Sequence, residues 1–129
     1  VVNNSGSARL NIEAQCVDDD DFQNEGPASA TILDPVSGRI EGAVICPYTR
    51  DWYRLALPAG AHGIGIDFGH EQGDLDLEVR DAETNALLGT GASETDNEQV
   101  DIVLAEPAEV LILVDGFDDA ANGYTLWWD

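Results

Sequence analysis

Apolar and polar residues alternate with a period of two along most of this sequence, which is the pattern of a half-buried β-strand. The stretch 9–16 shows it first, with Leu10, Ile12 and Cys16 alternating with polar residues. The same alternation predicts further strands at residues 51–57, 64–68, 75–80, 100–104, 110–114 and 124–128. Helical periodicity is nearly absent, and the one helical candidate is the short stretch 27–31, where Pro27 suits a first turn.

Turn residues separate these runs at intervals of roughly ten residues, which is typical of an antiparallel sandwich. Examples are Pro58 to Gly60, Glu106-Pro107 and Asn122-Gly123. We therefore expect an all-β fold, a jelly-roll-like antiparallel β-sandwich of about eight or nine strands. At 129 residues and 43% apolar content, the chain has material for a single core.

The ends of the chain carry a weak echo of each other, as a strand, a polar turn and a strand. We divide the chain into residues 1–15, either an N-terminal strand or the tail of a preceding module, and residues 16–129, the sandwich domain. The sequence begins at Val1 without a signal peptide, so we expect a mature product or a module of a longer protein.

The formal charge of −21 excludes the polyanionic partners. Nucleic-acid binding requires clustered Lys and Arg, whereas this chain has no lysine and only five scattered arginines. Membrane insertion is also excluded, because no apolar run approaches the about 20 residues of a spanning helix. The acidity points instead to cations, held either in a specific Ca²⁺ or Mg²⁺ site or as a diffuse counterion cloud.

Cys16 and Cys46 are the two cysteines, and their spacing does not suggest zinc. We predict that they form one disulfide, worth roughly 3 to 4 kcal/mol for a loop of about 30 residues in the chain-entropy model. A disulfide implies an oxidising compartment, and therefore a secreted or extracellular protein. The alternative is a pair of buried free thiols in a cytosolic protein.

Five short motifs occur in an order that resembles the bacterial pre-peptidase C-terminal domain. They are the Asp51-x-Tyr53 strand, the Pro58-Ala59-Gly60 turn, the Gly73 to Leu77 strand, the Glu98-bearing strand and the closing Gly123-Tyr124-Thr125-Leu126 strand. The resemblance covers about residues 16–129. It implies a non-catalytic β-sandwich appended to secreted bacterial proteases or other exported enzymes. Such a domain is similar to the collagen-binding modules of clostridial collagenases.

In those modules Ca²⁺ ties an acidic N-terminal segment to the sandwich. The resemblance maps the ligands onto Asn24, Glu25 and Asp51, with the remaining carboxylate coming from Asp20 or Asp21. This chain has Phe22 and Gln23 where the family has a Glu ahead of the Asn. The alternative for the run Asp18 to Asp21 is a solvated acidic linker.

Other side chains offer weaker signals. Asp74, Asp76 and Glu78 share one face of a strand, which we interpret as an ordinary solvent-exposed face rather than a cation site. Trp52 and Trp127 lie out of phase with their apolar neighbours, so they are candidates for exposed aromatics that bind sugar rings or a collagen-like ligand. The competing interpretation buries them under a loop or a neighbouring domain.

We do not expect an enzyme, because no nucleophile, base and orienting group can be assembled from the motifs. The expected function is a non-catalytic accessory module of a secreted bacterial protein, with Ca²⁺ as the candidate cofactor. Its expected partners are neighbouring domains of a larger chain and an extracellular polysaccharide or protein matrix. The alternatives are a carbohydrate- or collagen-binding module acting through exposed aromatics, and a structural spacer in a tandem array.

Overall fold

Nine strands form two packed sheets in the computed structural model, which describes residues 26–33, 38–46, 50–69, 74–91, 97–116 and 122–129. The strands are β1 (Thr31–Ile32), β2 (Gly38–Ile45), β3 (Arg50–Leu57), β4 (Gly60–Asp67), β5 (Leu75–Asp81), β6 (Leu87–Gly91), β7 (Glu98–Leu104), β8 (Ala108–Gly116) and β9 (Asn122–Trp128). A single 3₁₀ turn, Pro27–Ser29, precedes them. The predicted all-β sandwich is confirmed, whereas the helical candidate 27–31 is only this 3₁₀ turn, because Thr31 already begins β1.

The five-stranded sheet has the order β1-β3-β8-β5-β6, and the four-stranded sheet has the order β2-β9-β4-β7. All pairs are antiparallel except the two-residue pairing of β1 with β3, which is parallel. Among the described strands only β5 and β6 form a hairpin between sequence neighbours. The links 58–59 and 105–107 each carry the chain from one sheet to the other.

The core lies between the inner faces of the two sheets. In β3 the buried positions are Asp51, Tyr53, Leu55 and Leu57, as the period-two pattern predicts. The four-stranded sheet contributes Ile64, Ile66, Val100, Leu126 and Trp128, all buried. Burying one such aliphatic side chain stabilises the fold by roughly 1.5 to 3 kcal/mol.

Two strands depart from simple alternation. The register between β2 and β9 shifts between Ile40 and Ala43, where Gly42 has a φ of 77°. β6 carries Gly89 and Gly91 on its inner side, where it approaches β7. A Cβ on Gly89 would lie 2.4 Å from Cγ1 of Val100, so the missing side chain lets the two sheets come together at this corner.

Cys46 follows β2 and is buried, and the described residues contain no free cysteine. Its expected partner Cys16 lies outside the described residues, so the pairing stays a prediction. Residues 1–15 also lie outside them, and the proposed division of the chain is untested. None of the described residues belongs to a helix long and apolar enough to cross a membrane.

Candidate functional sites

Three carboxylates meet where β5 and β7 begin. Asp74 precedes β5, Asp76 is its second residue and Glu98 is the first residue of β7. One carboxylate oxygen from each lies within 4.8 Å of the others. We call these three residues the acidic cluster. Glu98 is 22 or more positions away from Asp74 and Asp76 in the sequence, and the packing of the two sheets brings it next to them.

A glycine makes room for the cluster. Gly91 in β6 pairs with Leu77 of β5, and a Cβ on Gly91 would lie 2.9 Å from Cβ of Glu98. Any larger residue at position 91 would therefore push Glu98 away from the edge of β5. Glu98 is 5% exposed, which is rare for a carboxylate.

Asp76 shows the electrostatic consequence of this crowding. Its pKa is raised from 3.8 to about 6, first by loss of water around the carboxylate and then by the charges of Asp74, Glu98 and Asp115. Its Oδ1 is buried and has no hydrogen-bond partner. The cluster therefore concentrates negative charge where a bound cation would relieve the repulsion, and it could hold a metal ion.

Asp51, predicted as a Ca²⁺ ligand, is fully buried at the start of β3. Its Oδ2 accepts a 2.5 Å hydrogen bond from the Tyr124 hydroxyl, whose oxygen lies 2.7 Å from the Tyr53 hydroxyl. Because the one hydroxyl hydrogen of Tyr124 is donated in the hydrogen bond to Asp51, the Tyr53 hydroxyl must be the donor in its hydrogen bond to Tyr124. Burial, followed by the neighbouring Tyr53 and Asp51, raises the pKa of Tyr124 well above 10.0.

One oxygen of Asp51 is thus committed to a buried tyrosine relay that joins the two sheets. The other predicted ligands, Asp20, Asp21, Asn24 and Glu25, lie outside the described residues. The ligand set implied by the resemblance therefore remains a prediction. The acidic cluster is a different set of residues, and Asp74 and Asp76 belong to the strand face that the sequence pattern assigned to solvent.

Trp127 lies on the outer face of the four-stranded sheet and is half-buried. It pairs with Gly65 of β4, and a Cβ on Gly65 would meet the indole ring at 2.3 to 2.6 Å. A Cβ on Gly63 would lie 3.4 Å from both the indole and Oδ1 of Asp101. The ring therefore lies against the bare backbone of β4, with the Asp101 carboxylate beside it.

A groove of about 360 Å³ continues from this point along β4 and β7. Its lining includes Ala61, Gly63, Asp101 and Val103. Asp101 accepts a 2.8 Å hydrogen bond from the Gln99 side chain, and Val103 is 80% exposed. We call this feature, together with the indole, the Trp127 groove.

Trp52, the other predicted aromatic, is half-buried on the outer face of the five-stranded sheet. There it pairs with Leu113 of β8. Trp127 lies beside Gly63, which belongs to the lining of the groove.

The described arginines are all neutralised by acids. Arg39, Arg50, Arg54 and Arg80 each lie within 3.9 Å of a carboxylate oxygen. These pairs are at least partly exposed, so each is worth at most about 1 kcal/mol. No basic patch arises from the described residues, and the surface field stays negative.

Comparison with known proteins shows a shared fold at very low sequence identity. No protein-family model matches the sequence, and no relative is found among curated proteins. Among solved structures, the chain is similar to the pre-peptidase C-terminal domain of collagenase from Bacillus anthracis, with a TM-score of 0.59 and 13% identity. That match covers 78% of this chain and 94% of the other.

Two further structures match equally well. The periplasmic inhibitor of g-type lysozyme from Aeromonas hydrophila has a TM-score of 0.59 at 14% identity, covering 78% of this chain and 94% of the inhibitor. The surface-associated copper-binding protein CorA of Methylomicrobium album BG8 has a TM-score of 0.59 at 8% identity, covering 78% of this chain and 97% of CorA. At the level of the fold, the expected resemblance to the pre-peptidase C-terminal domain is confirmed.

Proposed function

We propose that this chain is a non-catalytic accessory module of an exported bacterial protein and that Ca²⁺ bound at the acidic cluster stabilises it. The observation that carries the proposal is the convergence of Asp74, Asp76 and Glu98 within 4.8 Å, with a buried Asp76 oxygen that has no hydrogen-bond partner. Ca²⁺ accepts six to eight oxygens in loose geometry, so backbone carbonyls and water can complete the shell.

Comparison with solved structures of similar fold supports an accessory role. The similar structures include a domain of a collagenase, a lysozyme inhibitor described as periplasmic and a surface-associated copper-binding protein. One fold therefore serves several binding tasks outside the cytoplasm, and function must be argued from the site. A secreted or extracellular location for this chain agrees with the predicted Cys16–Cys46 disulfide.

Calorimetric titration of chelator-treated protein with Ca²⁺, combined with thermal melting, tests the proposal. We expect one bound ion and a higher melting temperature, because a ligand that binds only the folded state stabilises it. Glu98→Gln should weaken binding at least about tenfold, since it removes a charged ligand. Glu106→Gln makes the same chemical change at an exposed residue of the link 105–107 and should bind like the wild type.

The double variant Asp20→Asn/Asp21→Asn distinguishes the cluster from the site implied by the resemblance. Retained binding in this variant, with loss in Glu98→Gln, supports the acidic cluster. The opposite result would place the ion in the acidic run and overturn our assignment. A wild-type protein with neither heat nor a rise in melting temperature would remove Ca²⁺ from the proposal altogether.

A second function, attachment to a polysaccharide or protein matrix, is favoured by one specific observation. Trp127 lies against the glycine backbone of β4, beside Gly63 of the groove lining, whereas a residue serving only to fill the core would lie on the inner face, as Trp128 does. This surface could also contact a neighbouring domain or a further copy in an array.

A further inference from the structure

We infer that the Trp127 groove binds an uncharged polysaccharide through the ring face of one or two pyranose units. This inference rests on the attachment function proposed above and names its ligand class. The supporting features are the orientation of the indole, the polar groups beside it and the charge of the molecule.

The indole has the geometry of a stacking platform. The indole lies against the backbone of Gly65, where no side chain intervenes, so its accessible part is the side turned away from β4. A pyranose presents a flat face of C–H groups that packs on an aromatic ring, with the positively polarised hydrogens over the negative face of the π-system. The strand holds the platform rigidly, because Trp127 is flanked by core residues Leu126 and Trp128.

The polar groups beside the ring suit hydroxyl donors. The Asp101 carboxylate reaches the position next to Gly63 that the indole also reaches, and Gln99 holds it through a 2.8 Å hydrogen bond. A carboxylate accepts hydrogen bonds from two neighbouring hydroxyls, and charge-assisted bonds of this kind are the stronger ones. An aromatic face with convergent acceptors at its edge matches a sugar ring stacked flat with hydroxyls around its rim.

The size of the groove limits the ligand segment. Its volume of about 360 Å³ lies at the lower end of the range of ligand pockets. The groove thus accommodates a short portion of a chain, and the exposed strand face on either side leaves room for the chain to continue. A polymer can therefore bind without ending at this site.

Charge excludes the anionic polymers. The chain carries a net charge of −21, and the lining of the groove contains Asp101, Asp129 and His62. Arg39 is the register partner of Trp127 on β2, and its charge is balanced by the carboxylates of Glu41 and Asp67. Uronic-acid polymers, sulfated glycans and phosphate-rich polymers would meet repulsion both at long range and at the site. Uncharged glycans pay no such cost.

Depletion assays with insoluble polysaccharides test the inference, with wild-type protein measured in Ca²⁺ and in chelator. We expect binding to at least one of cellulose, insoluble xylan or chitin, and none to pectate gel. Trp127→Ala should weaken that binding at least about tenfold, and Asp101→Asn by about fivefold. Trp52→Ala, which removes the other half-buried tryptophan from the opposite sheet, should bind normally.

Glycine variants separate the geometry of the platform from its chemistry. Gly65→Ala keeps the indole but displaces it from the sheet, so we expect binding to fall as much as in Trp127→Ala. Gly123→Ala, on the same strand as Trp127, introduces a Cβ with its nearest neighbour at 3.6 Å and should bind normally. Melting curves confirm which variants remain folded, and Asp101→Asn, at an exposed position, keeps the test valid if a glycine variant unfolds.

Several outcomes would overturn the inference. Binding only to chitosan would show that the groove recognises cationic groups, and binding only to collagen or gelatin would identify a protein ligand. Binding unaffected by both Trp127→Ala and Asp101→Asn would locate the ligand elsewhere. Failure to bind any uncharged polysaccharide would refute the inference while the Ca²⁺ titration still succeeded, so the two proposals fail separately.

Discussion

Buried polar side chains in this sandwich differ in how they are satisfied. Asp51 is fully buried and accepts a hydrogen bond from the Tyr124 hydroxyl, which in turn accepts one from the Tyr53 hydroxyl. Asp76 has no tyrosine donor at its buried Oδ1 and lies beside the charges of Asp74, Glu98 and Asp115. The first arrangement stabilises the core, whereas the second stores repulsion that a cation or a proton relieves.

We predict that removing the Tyr124 hydroxyl, which donates to Asp51, lowers the free energy of unfolding more than removing the Tyr53 hydroxyl. Tyr124→Phe leaves Oδ2 of Asp51 without its donor inside the core and should lower the free energy of unfolding by about 2 kcal/mol. Tyr53→Phe removes only the bond to Tyr124 and should cost about 1 kcal/mol. Urea denaturation of both variants measures the difference. Equal losses would show that the Asp51 bond has no special weight.

We also predict an inverted pH dependence at Asp76 in chelator. The pKa of Asp76 in the folded protein, about 6, exceeds the value of 3.8 for an exposed Asp, so the folded state holds the proton more tightly. Ionising Asp76 therefore costs stability as pH rises from about 4 through about 6, and the full cost is present above that window. Solvent screening at this partly exposed group reduces the cost to roughly 1 kcal/mol.

Asp76→Asn should therefore melt at a higher temperature than the wild type at pH 8, because the amide carries no charge. At pH 4 the two proteins should differ much less, since Asp76 is then protonated in the folded state. Thermal melts in chelator at both pH values provide the comparison. A difference that stays constant between them would contradict the raised pKa.

At the scale of the elements, glycines decide how closely strands approach each other. Gly65 admits the Trp127 ring, Gly91 admits Glu98, and Gly89 admits Val100. At each of these positions the absence of a side chain leaves space for a residue of the neighbouring strand. The cluster and the groove both depend on this close packing.

We predict that Gly89→Ala lowers the free energy of unfolding by about 1 to 3 kcal/mol through overpacking, because its Cβ would lie 2.4 Å from Cγ1 of Val100. Combining it with Val100→Ala removes that methyl group, so the double variant should be more stable than the sum of the single losses implies. Denaturation of the two single variants and the double variant gives the coupling. Additive losses would refute the steric explanation, and Gly123→Ala controls for a glycine replacement in an open strand position.

Strong alternation explains which strands could be predicted from the sequence. β3, β4, β5, β7, β8 and β9 all correspond to predicted runs, because each places regular apolar positions on the core. β2 was missed because the irregularity between Ile40 and Ala43 interrupts its period. β6 was missed because two of its five residues are glycines, which have no side chain to carry a pattern.

The candidate sites were less predictable for a physical reason. Trp127 could be identified because its phase within β9 was visible in the sequence. The acidic cluster could not, since Asp76 and Glu98 meet only through the packing of β5 against β7. Glu98 appeared in the sequence only as part of a motif of the resemblance, and alternation alone assigned Asp74 and Asp76 to solvent.

At the scale of the whole molecule, the strand order of both sheets pairs strands that are far apart in the sequence. β8 lies between β3 and β5 in one sheet, and β9 lies between β2 and β4 in the other. Most pairings therefore join strands that are distant in sequence. Folds dominated by such long-range pairing close slowly.

The position of β8 and β9 has a consequence during synthesis. β8 and β9 are the last described strands to be synthesised, and each is the central link of one sheet. Until they have been made, β3 and β5 lack the strand that joins them, and so do β2 and β4. A nascent chain ending before β8 can form little more than the β5–β6 hairpin and the β4–β7 pair. Folding of this domain can therefore be completed only after β8 and β9 have been synthesised.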